Sequence, residues 1–411
     1  MHFREDSKLS DYYLSRQPIF DVDEQLLGYE LLYRDDQGEA TAIAAQQATS
    51  EVFINSYIEI GLSKLVGQHQ AFINVSRDFL INHDKLPPPS QQLVLEIMEN
   101  VGIDDEITAA ITSLIEKGYH IALDAFNYDQ KHRSLVQLAH IVKINIKDHS
   151  AGDLEKLVTS LRRFPIKLLA EKVETITQYD HCRKLGFDYY QGYFLCQPRT
   201  VRGRALPANQ LHVMQLLAEF QKDHTEPTDL EKIIEQDVAL SYKLLRYINS
   251  AAFSLRKNVE SIRHAIIILG QKEVKRWASM IALSGIENKP EELIRIALLR
   301  ARMCELLTEA SGEGNPGTAF MVGLFSTLDA LMDTPLKELL SMIPIIDDIK
   351  AALLYRRGPY NHVLSATFAY EQGDWHLIEE AGLSEADAAA CYIQAVEWSN
   401  ESTRQLMKKA A

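Results

Sequence analysis

The residues of this chain that could do chemistry recur in one setting: a short apolar run that ends on a carboxylate, an amide or a lysine. In Tyr119–Asn127, YHIALDAFN, the run Ile121–Leu123 delivers Asp124, and Ala125 follows, so a single acid is presented there. The setting repeats through the first half. Glu30 sits in GYELLYR, Asn74 ends AFINVS and Glu96 lies in LVLEIMEN. Lys143 and Asn145 lie in HIVKINI, Glu171 follows KLLA and Gln191 follows DYY. Several carboxylates brought to one mouth repel each other unless a cation neutralises them. Hard oxygen ligands of this kind suit Mg²⁺, Mn²⁺ or Ca²⁺.

The elements that must position these residues are readable around them. Candidate strands are Tyr12–Ile19, Leu27–Tyr33, Ala71–Val75, Leu93–Ile97, His120–Leu123, Ile141–Ile146, Lys167–Ala170 and Asp188–Tyr190. Amphipathic stretches such as Ala40–Ile60 and Ile103–Lys117 lie between them. Strand–helix alternation predicts a parallel sheet covered by helices, and about eight such strands suit a (β/α)₈-type barrel. In a barrel the C-terminal strand ends converge on one mouth. An open doubly wound sheet is the rival, but the chain has no GxGxxG or GxxxxGK[ST] to support it.

At 411 residues the chain is long enough for two or three domains. Its net charge of -14 disfavours binding to nucleic-acid polymers, whose phosphates need Lys and Arg. The charged start MHFREDSKLSDYY lacks the apolar core of a signal peptide, and no apolar run is long enough for a membrane span. Cys182, Cys196, Cys304 and Cys391 show no CxxC spacing and read as reduced core residues. These features predict a cytoplasmic protein. From Leu206 onward helical periodicity takes over, with helices expected over Ile262–Leu269, Glu273–Leu283, Glu291–Thr308, Phe320–Met332 and Ala386–Met407. Asp237 is a candidate helix cap.

The first half resembles the EAL domain, the phosphodiesterase domain that opens cyclic di-GMP. Gln17-Pro18-Ile19 matches its QPI strand, and Glu30-Leu31-Leu32-Tyr33-Arg34 its signature EALLR, with Leu31 in place of Ala. Asn74-Val75-Ser76 resembles NxS, Glu96-Ile97-Met98-Glu99 ExTE, and Lys143-Ile144-Asn145 KID. Glu171-Lys172-Val173-Glu174-Thr175 resembles EGVET and Gln191-Gly192-Tyr193 QGY. The resemblance implies a metal held by Glu30, Asn74, Glu96 and Asp124. It implies a second metal sharing Asp124 and using Glu171 and the acid after Asp124. Catalytic positions would be Lys143, Glu171 and Gln191, with Arg34 on a phosphate and Gln17 on a guanine base.

The departures from that pattern cluster at the second metal. Ala125 removes an oxygen ligand, and Asn127 replaces a loop glycine. Asn145 replaces the Asp of KID, and Lys172 replaces the Gly after Glu171. The expectation is one divalent site, Mg²⁺ or Mn²⁺ with Ca²⁺ as a further candidate, and weak or absent hydrolysis.

The second half resembles the HDOD domain, an all-helical relative of HD hydrolases, through residues 233–270. Where the His-Asp pair of those hydrolases would sit the chain has Ser326 and Thr327, poor metal ligands, so no chemistry is expected there. The sequence therefore predicts an α/β plus all-α chain. Residues 1–203 form an EAL-type (β/α)₈-like barrel, and residues 204–411 an all-helical HDOD bundle. The function expected is signal transduction: a degenerate EAL domain binds a divalent metal and cyclic di-GMP, and the HDOD domain relays through an unknown protein partner. A homodimer is compatible with this. The alternative is an active cyclic di-GMP phosphodiesterase.

Overall fold

The computed structural model describes residues 12–35, 62–83, 86, 88–98, 101–102, 104–124, 133–197, 208–221, 226–249, 259–286, 289–374, 378 and 383–407. The chain divides into two compact units, Met1–Leu195 with Glu371–Gly373, and Cys196–Tyr370 with Asp374–Ala411. The boundary expected between residues 203 and 204 lies outside the described residues, as does the stretch 40–60.

The described residues of the first unit carry eight strands: β1 (Tyr12–Asp21), β2 (Leu26–Asp35), β3 (Gln70–Val75), β4 (Leu93–Ile97), β5 (His120–Leu123), β6 (Ile141–Asn145), β7 (Lys167–Glu171) and β8 (Tyr189–Gln191). They close into a barrel in chain order. From β2 to β8 the neighbours are parallel, as expected, but β1 runs antiparallel to both β2 and β8. The reason is the link at residues 22–25, too short for the crossover that parallel strands require. The Asp21 carboxylate closes that turn by accepting from the Asp23 and Gln25 amides, each at 2.9 Å.

Between the strands lie α1 (Leu62–Val66), α2 (Arg77–Ile81), α3 (Asp105–Glu116), α4 (Arg133–Leu138), α5 (Ala151–Leu161) and α6 (Ile176–Leu185). Helix α3 starts on Asp104, which accepts from the Ile107 amide, and buries Ile107, Ile111 and Leu114 at helical spacing. Helix α6 opens on a Thr175–Gln178 capping box and stops at Gly186.

Strand residues alternate between two cores. Leu95, Ile121, Leu123, Val142 and Leu168 face the helices. Ile19, Phe72, Val94, Ala122, Ile141 and Leu169 form a second cluster that fills the barrel. Phe20, Tyr179, Tyr190 and Phe194 pack around the β1–β8 seam, with Tyr179 and Phe194 stacked at 4.7 Å.

The described part of the second unit is helical: α7 (Ala208–Phe220), α8 (Pro227–Gln236), α9 (Val238–Ile248), α10 (Ile262–Leu269), α11 (Gln271–Ser284), α12 (Glu291–Ser311), α13 (Pro316–Phe325), α14 (Leu328–Met332), α15 (Leu336–Ser341), α16 (Asp347–Tyr355), α17 (Asn361–Gln372) and α18 (Glu385–Met407). Asp237 caps α9 by accepting from the Leu240 amide at 2.9 Å. Helix α12 is buried along most of its length and crosses α13 at Gly323. The single helix expected over Phe320–Met332 is two, broken at Ser326-Thr327. There the Ser326 hydroxyl donates to the Gly323 carbonyl at 2.7 Å and that of Thr327 to Leu324 at 3.2 Å. Short hydroxyl side chains compete in this way with helix continuation.

Candidate functional site

The barrel's alternation places the site. Phe72, Val94, Ala122, Ile141 and Leu169 point inward, and the residues two positions further on are Asn74, Glu96, Asp124, Lys143 and Glu171. A period of two keeps each on the inner face, one layer nearer the C-terminal strand ends. On β1, which runs the other way, the same layer lies two residues before Ile19, at Gln17. Glu30 is the register partner of Gln17 and of Phe72.

Lys143 is the hub of this layer. Its side chain is completely buried, and its Nζ lies 2.8 Å from Glu96 Oε1, 2.9 Å from Glu171 Oε1, 3.1 Å from Glu30 Oε2 and 3.7 Å from Asp124 Oδ1. Gln191 donates to Glu30 Oε2 at 2.6 Å and to Gln17 Oε1 at 3.1 Å. Asn74 donates to Glu30 Oε1 at 3.3 Å. Thus four strands set a carboxylate on one ammonium, and three further strands add Gln17, Asn74 and Gln191 to the layer. The Gln191 loop depends on Gly192, whose φ of 144° and approach to the Val173 backbone leave no room for a Cβ.

Four carboxylates around one ammonium are unevenly served. Burial raises the Lys143 cost of charge, but attraction to Glu171, Glu30, Glu96 and Asp124 outweighs it and holds the ammonium charged well above its usual range. Burial would push Glu30 up, yet Lys143 and the Gln191 and Asn74 hydrogen bonds bring it down. Glu96 is pushed well up by burial and by repulsion from Glu30. Burial, opposed by Lys143 and aided by repulsion from Asp124 and Glu30, lifts Glu171 to about 7. The layer therefore carries more acid than one ammonium can balance.

Several acceptors are also left over. Glu96 Oε2, Asn74 Oδ1 and Gln191 Oε1 are buried without a hydrogen bond, while Glu96 Oε1 meets Lys143 as an ion pair at 2.8 Å. Buried acceptors and excess carboxylate are what a cation with hard oxygen ligands satisfies. The donor set thus fits a divalent ion in chemistry. In geometry the carboxylates close on the ammonium, and among the described residues no group of three His, Cys, Asp or Glu surrounds an open point. A cation held by these carboxylates would have to displace the Lys143 head from them.

The structure brings together Gln17, Glu30, Asn74, Glu96, Asp124, Lys143, Glu171 and Gln191, each singled out in the sequence. Asn145 lines the same mouth, with Lys172 beside it. Asn145 Oδ1 is engaged locally, accepting from the Lys147 amide at 3.1 Å. The Arg34 side chain, and Ala125, Asn127 and the rest of 125–132, lie outside the described residues. Sequence reasoning missed the hub position of Lys143, whose four partners lie on four other strands.

In the second unit, Ser326 and Thr327 spend their hydroxyls on backbone carbonyls. Nearby Asp329 is raised by burial. His264 Nδ1 faces the Glu260 amide at 3.5 Å, and His376 lies outside the described residues. No described helix is long and apolar enough to cross a membrane.

Comparison with known proteins gives two domain matches: the EAL domain over residues 3–198 and the HDOD domain over residues 206–334. The cyclic di-GMP phosphodiesterase CdgJ of Vibrio cholerae is 33% identical over 95% of this chain and 93% of its own. The uncharacterized protein YuxH of Bacillus subtilis is 31% identical over 94% of this chain and 97% of its own. Among solved structures, a manganese/cyclic di-GMP complex of Klebsiella pneumoniae BlrP1 is 19% identical, covering 47% of this chain and 56% of that one, with a TM-score of 0.38.

Proposed function

Since this chain belongs to the family of proteins that join an EAL domain to an HDOD domain, we propose that its barrel binds cyclic di-GMP together with one divalent cation and hydrolyses it weakly or not at all. The observation that carries this reading is the acid layer around Lys143, with its unsatisfied Asn74 and Glu96 oxygens. Glu30, Asn74, Glu96 and Asp124 would hold the cation, Mg²⁺ or Mn²⁺ with Ca²⁺ as a further candidate. When bound, it neutralises the carboxylates and polarises a phosphate oxygen.

The chain's own residues divide the remaining tasks. Lys143 gathers the carboxylates, and Gln191 orients Glu30 and Gln17 in one hydrogen-bond chain. Gln17 stands at the mouth, where it would meet a base edge, and Arg34 would contact a phosphate. Glu171, raised by burial against the pull of Lys143, faces the ammonium at 2.9 Å. Ala125 and Asn145 each supply no charge where a second cation would need it, and Asn145 is committed to its cap. The HDOD unit would pass the signal on through contacts with a protein partner.

A second reading, a working phosphodiesterase, draws on the name of the Vibrio relative and on the retention of Lys143, Glu171 and Gln191 in one layer. Calorimetric titration of the full chain with cyclic di-GMP in Mg²⁺ or Ca²⁺, followed by product analysis of the same sample, separates the two. Binding with the dinucleotide intact is the outcome expected of the first reading, and steady accumulation of the linear product that of the second.

A further inference from the structure

Lys172 follows Glu171 at the end of β7 and occupies the left-handed region, with φ at 57°. A side chain is strained there, and glycine, which the EAL pattern has at this position, is not. The conformation is imposed from outside. The Val173 amide donates to the Gln191 carbonyl at 3.0 Å, and the Val173 carbonyl accepts from the Phe194 amide at 3.1 Å, so the backbone just beyond Lys172 is pinned to the end of β8 and the turn that follows it. The chain therefore holds a strained lysine where the backbone would be at ease with glycine.

The lysine is exposed and lines the mouth with Gln17, Glu30, Asp124, Asn145 and Glu171. The acids on either side of it are taken: Glu171 by Lys143 at 2.9 Å, Glu174 by Lys147 at 2.5 Å. Among the described residues Lys172 makes no ion pair. A strained, exposed ammonium at the rim of an acid-lined site is placed to receive an anion.

We propose that Lys172 is a further phosphate-holding cation of this mouth, supplying as a fixed charge part of what a second divalent ion would supply, while lacking a metal's power to activate water. This rests on the reading of the barrel as a cyclic di-GMP site and deepens it. An ammonium neutralises a non-bridging phosphate oxygen through hydrogen bonds but is no Lewis acid of a metal's strength. The device thus favours holding the diester over opening it.

The test is titration calorimetry of the full chain with cyclic di-GMP in Mg²⁺, at two salt concentrations, for wild type, Lys172→Gln, Lys172→Gly and Lys172→Arg. Lys172→Gln and Lys172→Gly should each weaken binding about tenfold and flatten its salt dependence, as expected for the loss of one charge-assisted contact. Lys172→Arg should retain most of the affinity. Lys172→Gly should melt no lower than wild type, which separates lost contact from lost fold. Mg²⁺ binding without dinucleotide should not weaken in any variant. Equal dinucleotide affinity in wild type and Lys172→Gln overturns the inference and leaves the barrel reading standing. Absence of dinucleotide binding in wild type overturns both.

Discussion

At the scale of single residues, the site is a problem of charge balance that one lysine answers only in part. Removing that lysine while keeping the acids leaves buried carboxylates uncompensated, a change of the kind that costs about 3–5 kcal/mol. Lys143→Met should therefore be markedly less stable than wild type in metal-free buffer, and should gain more in melting temperature on adding Mn²⁺. Equal metal-free stability by urea denaturation would show that Lys143 is not the counter-charge. The opposite change adds acid. Ala125→Asp with Asn145→Asp should recruit a second cation and restore some turnover, each single variant recovering less than the pair. Asn145→Asp can keep the cap on the Lys147 amide, since the accepting oxygen is retained. If the double variant takes up no additional metal, Ala125 does not belong to a second site. The polar members of the site were legible because each interrupts or ends an apolar strand, and a period of two sets them on one face. Their convergence on Lys143 was not, because Glu30, Glu96, Asp124 and Glu171 reach it from four strands far apart in sequence.

At the scale of elements, the strands of the barrel could be read nearly residue by residue, since each is an apolar run bounded by turns or capped helices. The direction of β1 could have been read too. Residues 22–25 leave no length for a crossover, and that arithmetic outweighs the general pattern of strand–helix alternation. The break at Ser326-Thr327 was hidden for a different reason: hydrophobic periodicity runs straight through it, and only the back-bonding hydroxyls end the helix. The crossing of α12 and α13 offers a direct check of packing. A Cβ on Gly323 would lie 2.3 Å from the Arg300 carbonyl oxygen and 2.6 Å from the Ala301 Cα. Backbone cannot give way as a side-chain tip can, so Gly323→Ala should destabilise the chain by about 1–3 kcal/mol in chemical denaturation. An unchanged midpoint would show that the helices part at no cost. On the barrel, His140 ties β5 to β6: its Nδ1 accepts from the Ile121 amide at 3.2 Å, with His120 stacked on it at 4.9 Å. Burial, and then His120, lowers its pKa. The native state thus binds fewer protons than the unfolded chain, whose imidazole titrates near ~6.5. The contribution is present above that pH and is lost as pH falls through the depressed value. Stability should decline on acidification from pH 7.5 to 5.5 more steeply in wild type than in His140→Gln, and parallel slopes would contradict this.

At the scale of the whole molecule, two units divide the labour unequally. The barrel has the acid layer around Lys143, with leftover acceptors on Asn74, Glu96 and Gln191, and the mouth. The helical unit has, at its break, two hydroxyls already bonded to backbone. Metal bound by the full chain should therefore belong to the barrel: about one divalent ion per chain by elemental analysis after dialysis against Mn²⁺, and none for Glu30→Ala. Retention of a full equivalent in Glu30→Ala would move the metal elsewhere. The most direct measurement remains titration of the full chain with cyclic di-GMP in Mg²⁺, with the nucleotides in the cell identified afterwards. The expected result is saturable binding and recovery of intact cyclic di-GMP. Conversion to linear product at a rate near the ~10 s⁻¹ common among enzymes would contradict it and make the barrel a working phosphodiesterase.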